Sequence, residues 1–307
     1  MKIIIPNGIK IGHAQDDYTG VTVILCEKGA TSGVDVRGGA PGTRETDILR
    51  TEKAAGFINA VVLAGGSAYG LAASTGVMQY LKEKKAGYKV GSKIVPLVSS
   101  AVIFDLNDKE YHFPDAEMGY NACHNATDKP EFGQKGVGKG ATVGKIRGIK
   151  YASKSGIGAY TIKTAGLVVT AVVAVNALGD VVDEDGKIIA GAKGKEGFID
   201  TEKAILDADV SKILFGTNTT IGCILTNAKI DKNEANKLAS IAHNGLARSI
   251  RPVHTDYDGD TIFCMSTGKV PVLNFAMLQS AAVVAMENAV RNAVRSGQDY
   301  EVVFDDE

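Results

Sequence analysis

The sequence predicts an α/β protein built in layers, and three observations carry that prediction. Short β-branched runs recur along the chain, from residues 20–26 to residues 261–265. Two long segments starting near Asp231 and Phe275 carry apolar residues at helical spacing. The two kinds of segment alternate irregularly, which argues for stacked α/β or α+β layers rather than a simple βαβ series. A chain of 307 residues can bury a large core and hold one large domain or two small ones; a single domain over residues 1–307 is the expectation.

In order, residues 20–26 (GVTVILC) read as a strand. Gly33-Val34-Asp35-Val36-Arg37 reads as a second strand, ended by Gly38-Gly39-Ala40-Pro41-Gly42. Residues 60–64 are wholly apolar, as in a buried strand, and Gly65-Gly66 stops them. A helix is predicted over 68–85, with Leu71, Met78 and Leu81 on one face. Residues 107–140 mix Asp, Asn, Pro and Gly without clear period and read as a long loop, a kind of segment that is often functional. Residues 166–175 read as a buried strand, and 181–189 as the flank of a hairpin around Asp183-Glu184-Asp185-Gly186. A strand over 221–226 leads to Asp231-Lys232-Asn233-Glu234, a capping-box-like helix start followed by Ala235, Leu238, Ala239, Ala242 and Leu246. After a strand over 261–265, residues 275–294 are apolar around most of the circumference, so the last helix is buried.

Composition narrows the function. With 34 Lys+Arg against 35 Asp+Glu the formal charge is −1, so no basic excess points to nucleic acid or a membrane surface. The longest apolar segment, 166–174, is interrupted by Thr170 and is too short to span a bilayer. Pro6 follows Met1-Lys2-Ile3-Ile4-Ile5 at once, too early for a signal peptide, and Cys26, Cys123, Cys223 and Cys264 form no Cys-x-x-Cys pair. A reducing cytoplasm is the expected compartment.

Four motifs bear on chemistry. Gly65-Gly66-Ser67-Ala68-Tyr69-Gly70 departs from a nucleophile elbow, Gly-x-Ser-x-Gly, because position 69 is Tyr. It reads instead as a strand-to-helix turn that can present backbone N–H groups to a polar group. Residues 136–145 look like a phosphate loop but lack its glycine spacing, and Ile146 follows Lys145 where Ser or Thr belongs. The segment His254-Thr255-Asp256-Tyr257-Asp258-Gly259-Asp260 can be a solvated acidic turn, a cation loop without EF-hand spacing, or a holder for an amine. Finally, Gly216-Thr217-Asn218-Thr219-Thr220-Ile221 joins the apolar run Ile213-Leu214-Phe215 to a strand. Cleavage of Asn218-Thr219 would put a hydroxyl nucleophile and a free amine on one residue, Thr219.

Taken as an ordered set, these segments resemble the L-aminopeptidase/D-esterase family of self-processing hydrolases, in particular its endo-type 6-aminohexanoate-oligomer (nylon oligomer) hydrolases. The matching text is Val34-Asp35-Val36-Arg37-Gly38-Gly39-Ala40, Leu63-Ala64-Gly65-Gly66-Ser67-Ala68-Tyr69-Gly70-Leu71 and Leu97-Val98-Ser99-Ser100-Ala101-Val102-Ile103-Phe104-Asp105. It continues with Gly144-Lys145, Val175-Asn176-Ala177-Leu178-Gly179, Asn218-Thr219-Thr220-Ile221 and His254 to Thr261, over nearly the whole chain. The resemblance implies a four-layer α/β/β/α sandwich of the N-terminal-nucleophile type, autocleaved into residues 1–218 and 219–307 that stay together, with processed protomers forming a homo-tetramer. It implies Thr219 as nucleophile, Lys145 and Asn176 lining its site, and Asp258 and Asp260 contacting it. Asn176 is then a candidate oxyanion donor. Gly66, Tyr69 and Phe104 are candidate substrate contacts. The implied substrate is a short linear amide or peptide, with neither metal nor organic cofactor. Acyl transfer to an amine, as in ornithine acetyltransferases, is the related alternative. Phe104 stands where the oligomer hydrolases carry Tyr, which removes a hydroxyl, whereas Asp258-Gly259-Asp260 departs from the Ser-Gly-acid of the aminopeptidase branch.

Overall fold

The computed structural model of the chain describes residues 2–106, 111–207, 218–295 and 300–304. The predicted run Ile213-Leu214-Phe215, with Gly216 and Thr217, lies outside the described residues, as does the start of the predicted loop at 107–110.

One long strand, Gly20–Val36, belongs to two sheets. Its first part pairs antiparallel with Lys10–Gln15 and Ile58–Ala64. Ile58–Ala64 in turn pairs in parallel with Val98–Val102. After a register shift between Leu25 and Ala30, its second part pairs with Thr261–Pro271. The second sheet continues through Thr219–Lys229, Leu167–Asn176 and Ile157–Thr164.

Side-chain alternation makes the layers. Ile24, Val61, Leu63, Val172, Ile221, Cys223, Phe263 and Met265 point into one core between the sheets. Their neighbours Val21, Val23, Ala60 and Val62 point outward, onto α1 (Ala73–Glu83) and α2 (Ala116–His124). A short helix, α3 (Thr201–Leu206), sits apart from both sheets' main cover. On the other side Val169, Val173, Ile224 and Cys264 face α4 (Lys232–Ser249) and α5 (Phe275–Val294). The stack is therefore α/β/β/α, as the resemblance implies.

The C-terminal elements match their sequence signals. Asp231 and Glu234 form the reciprocal capping box that starts α4, and α5 has the expected bounds. The hairpin at 183–186 is present between Asp180–Val182 and Ile188–Ala190. All four cysteines are buried free thiols. Among the described residues, no helix is long and apolar enough to cross a membrane.

Three expectations are corrected. The strands predicted at 20–26 and 33–37 are one strand, because exposed Glu27 and Lys28 and the left-handed Gly29 bend it without ending it. The helix predicted from residue 68 opens as a 3-10 segment, Ser67–Ala72, before α1. The predicted long loop contains α2, capped by the Asp115 carboxylate on the Met118 N–H at 2.8 Å. Small residues give α2 little hydrophobic signal but let it pack closely. A Cβ on Gly76 of α1 would lie 1.7 Å from the Ala116 carbonyl oxygen, and one on Gly119 would lie 2.0 Å from that of Ala73.

Phe263 is fully buried at the centre of the inter-sheet core. Phe263→Ala should lower the unfolding free energy by about 3–5 kcal/mol, read from urea unfolding; a loss under about 1 kcal/mol would show that the two sheets close over the cavity.

Candidate active site

Strand direction assembles the site. Thr219–Lys229 and Thr261–Pro271 are parallel neighbours, so both begin at the same edge of the sheet. Thr219 therefore lies beside the segment that ends at Asp260. Leu167–Asn176 runs antiparallel to the Thr219 strand and ends there, with Asn176 directly opposite Thr219. Three strand ends thus bring Thr219, Asn176, Asp258 and Asp260 together from distant parts of the chain.

The Asn218-Thr219 bond is buried, with Asn218 1% and Thr219 4% exposed. The Thr219 hydroxyl donates to the Asn218 carbonyl oxygen. The Gly259 N–H donates to the same oxygen at 2.9 Å, and Asn218 forms a parallel bridge with Asp258. That carbonyl consequently has a hydroxyl beside it and a backbone dipole polarising it. Position 259 has no room for a side chain, because a Cβ would lie 2.9 Å from Thr219 Oγ and 2.7 Å from the Ala40 carbonyl oxygen.

Lys145 enters from the glycine-rich loop and is buried. Its Nζ donates to the Asn176 backbone carbonyl at 2.8 Å and to Asn176 Oδ1 at 2.7 Å. Asn176 Oδ1 also accepts the Thr142 N–H at 3.1 Å, while Nδ2 donates to the Phe104 carbonyl at 3.0 Å. The Asn176 amide nitrogen, expected to serve an oxyanion, is thus turned to Phe104 here. The backbone donor on the Asn218 carbonyl is Gly259, beside the Thr219 hydroxyl.

Both aspartates are engaged by the protein. Asp258 Oδ2 accepts the Thr255 hydroxyl at 2.5 Å and its N–H at 3.2 Å, and Oδ1 accepts the Leu178 N–H at 3.4 Å. Asp260 Oδ1 accepts the Thr220 N–H at 2.6 Å, and Oδ2 lies 2.8 Å from His254 Nδ1. Asp260 accordingly grips the residue after Thr219. Asp258, Gly259 and Asp260 are buried while Asp256 stays exposed, so the solvated-turn reading is excluded for Asp258 and Asp260.

Gly66 and Tyr69 approach by another route. The Gly66 N–H donates to Asp105 Oδ1 at 2.6 Å, and the Thr19 hydroxyl to Oδ2 at 2.8 Å. Asp105 follows Phe104, the residue that anchors the Asn176 amide, so this turn meets the Thr219 cluster through Phe104-Asp105. Tyr69 is 55% exposed and stacks on Phe113 with ring centroids 5.2 Å apart. A cavity of about 490 Å³ lined by Phe132, Ser155, Asn292 and Tyr300 lies elsewhere and includes none of these residues.

Burial dominates the electrostatics. It pushes Lys145 down to about 7, against the pull of Asp258 and Asp105. It raises Asp258 to about 6, aided by repulsion from Asp260. It also raises Asp105 to about 6, despite the Gly66 and Thr19 hydrogen bonds. Sequence reasoning gave Asp105 and Gly259 no role: Asp105 works through partners at positions 19 and 66, and Gly259 through its backbone.

Between pH 7 and 9 the unfolded chain keeps the Lys145 proton that the folded chain has released, since Lys145 falls from 10.5 to about 7. Stability should therefore rise with pH across this window, by up to about 1.4 kcal/mol per unit from this group. In a Thr219→Ala background, Lys145→Met should flatten the rise in urea-unfolding free energy. An unchanged slope would assign it to another group.

Known proteins match the chain over most of its length. The model of peptidase family S58 matches residues 5–304. An uncharacterized aminopeptidase of Mycobacterium leprae (strain TN) is 42% identical over 292 residues, covering 86% of this chain and 78% of its own length. A 6-aminohexanoate-oligomer endohydrolase of Agromyces sp. (strain KY5R) is 34% identical over 274 residues, covering 86% and 74%. Among solved structures, a beta-aminopeptidase of Burkholderia sp. superposes with a TM-score of 0.69 at 21% identity, over 94% of this chain and 84% of that one. An L-aminopeptidase D-Ala-esterase/amidase from Ochrobactrum anthropi, described as a variant of the Ntn hydrolase fold, gives 0.70 at 18% identity, over 95% and 87%. On the family match and these identities, the chain belongs to peptidase family S58 and is a hydrolase acting on amide bonds.

Proposed function

We propose that the chain cuts itself between Asn218 and Thr219, and that the exposed Thr219 then hydrolyses amide bonds of short linear substrates. The observation carrying this reading is the Asn218 carbonyl, which receives the Thr219 hydroxyl and the Gly259 N–H on one oxygen. In the cut, Thr219 Oγ attacks the Asn218 carbonyl carbon and the peptide C–N bond breaks. The hydroxyl proton passes to the departing nitrogen, which leaves an ester. Water then cleaves the ester, giving a carboxylate at Asn218 and an amine at Thr219. Gly259 stabilises the negative charge that builds on the carbonyl oxygen during attack.

In turnover the Thr219 amine accepts the hydroxyl proton as Oγ attacks the substrate carbonyl. The proton moves on to the leaving amine, and water releases the acyl group. Burial beside Lys145 disfavours protonation of that amine, whereas Asp258 and Asp260 favour it. Asn176 and Lys145 brace the opposite wall, and Phe104, Gly66 and Tyr69 border the substrate side. The reading uses no metal or organic cofactor. We assign the working enzyme to the cytoplasm as a homo-tetramer of protomers processed into 1–218 and 219–307.

The substrate class we favour is 6-aminohexanoate oligomers together with short peptides. The Asp258-Gly259-Asp260 segment favours the oligomers, and the higher identity to the mycobacterial aminopeptidase favours natural small peptides or amides as a second reading. Initial rates on a 6-aminohexanoate oligomer and on amino-acid anilides decide between them. Amine acceptors added to the same assay should leave the yield of free acid unchanged; diversion into acyl-amine product would assign acyl transfer instead.

Mass spectrometry of the purified chain should show two fragments meeting at Asn218/Thr219. Thr219→Ala should remain intact and lose more than about 1000-fold in amide hydrolysis, as removal of a nucleophile does. A Thr219→Ala chain that is still cut at this bond would sink the assignment.

A further inference from the structure

His254 was part of a motif, but its role follows from contacts that the motif does not display. Its backbone has φ +58, in the left-handed region that residues other than Gly adopt uncommonly. That fold-back brings two groups of one residue onto one carboxylate oxygen. The His254 N–H donates to Asp260 Oδ2 at 3.1 Å, and Nδ1 lies 2.8 Å from the same atom.

The ring's other side settles where its hydrogen sits. His254 Nε2 is buried without a hydrogen-bond partner among the described residues. The ring meets His243 edge to face, with centroids 4.8 Å apart. His243 Nε2 lies 3.1 Å from the Asp35 carbonyl, which can only accept, so Nε2 carries hydrogen there. A buried N–H with no acceptor is costly. The His254 hydrogen therefore belongs on Nδ1, directed at Asp260.

We propose that His254 is a positioning residue: by donating from Nδ1 to Asp260 it orients the carboxylate that holds the Thr220 N–H, and so sets the geometry at Thr219. The inference rests on Thr219 being the nucleophile. Asp260 is almost wholly buried. Without the ring, its Oδ2 keeps the backbone N–H of residue 254, and the carboxylate can rotate away from Thr220.

Two substitutions that tolerate the left-handed backbone separate the ring's donor from its bulk. His254→Asn places an amide nitrogen close to the position of Nδ1, whereas His254→Gly removes the donor. Self-processing is followed by mass spectrometry, and kcat and KM are measured on a short amide with the processed chains. His254→Gly should slow both processing and kcat on the order of 100-fold, with KM within about twofold if substrate binding is untouched. His254→Asn should recover most of both rates. Parent rates in His254→Gly, or an Asn chain as slow as the Gly chain, would overturn the proposal. Should the Gly chain not fold, 15N spectra of histidine-labelled Thr219→Ala decide the matter. Hydrogen on Nδ1 of His254 supports the proposal, and hydrogen on Nε2 alone overturns it. The two claims fail separately. A parent chain that is never cut removes the Thr219 reading, whereas a parent that is cut no faster than His254→Gly removes this one.

Discussion

The parallel pairing of Thr219–Lys229 with Thr261–Pro271 is the constraint on which the site depends. Parallel neighbours start at one edge, so the residues before the second strand must lie beside the first residue of the other. An antiparallel arrangement would have put Asp258 and Asp260 at the far end of the sheet. The parallel pair also needs a covering crossover, and α4 supplies it between the two strands. The capping box at Asp231 and Glu234 thereby acts on the site at a distance, by fixing where that crossover begins.

Around this edge the protein buries charge with little water to solvate it. Lys145, Asp105 and Asp258 are each pushed toward neutrality by burial and pulled back by one another or by backbone donors. Their polar atoms are committed: Lys145 to Asn176, Asp258 to Thr255 and Leu178, Asp105 to Gly66 and Thr19. Such commitment preorganises the dipoles, so little of the response to developing charge need come from reorientation.

What the sequence displays and what it conceals follow the range of the interactions. Helices α4 and α5 were legible because capping and helical spacing are local signals. The long strand read as two because Glu27, Lys28 and Gly29 look like a stop, whereas partner strands on either side of the bend carry it onward. Helix α2 was hidden because its contact face is made of small residues whose value lies in close approach to α1. Lys145, Asn176, Asp258 and Asp260 are candidates that only a resemblance names, and the structure brings them to one edge. The contacts of Gly259, Asp105 and His254 depend on backbone geometry or on partners far away in sequence, which no spacing rule displays.

The strand order has a topological consequence. Thr219–Lys229 and Thr261–Pro271 lie between Leu167–Asn176 on one side and Gly20–Val36 on the other. A break after Asn218 would leave two strands of the C-terminal piece threaded between strands of the N-terminal piece. A second stitch joins Lys2–Ile5 to Glu301–Phe304. The pieces could not part by sliding along one interface: among the described residues four ladders and the inter-sheet core would have to open together. A break at that buried bond would therefore leave cohesion to the sheets, and the two pieces would stay one molecule.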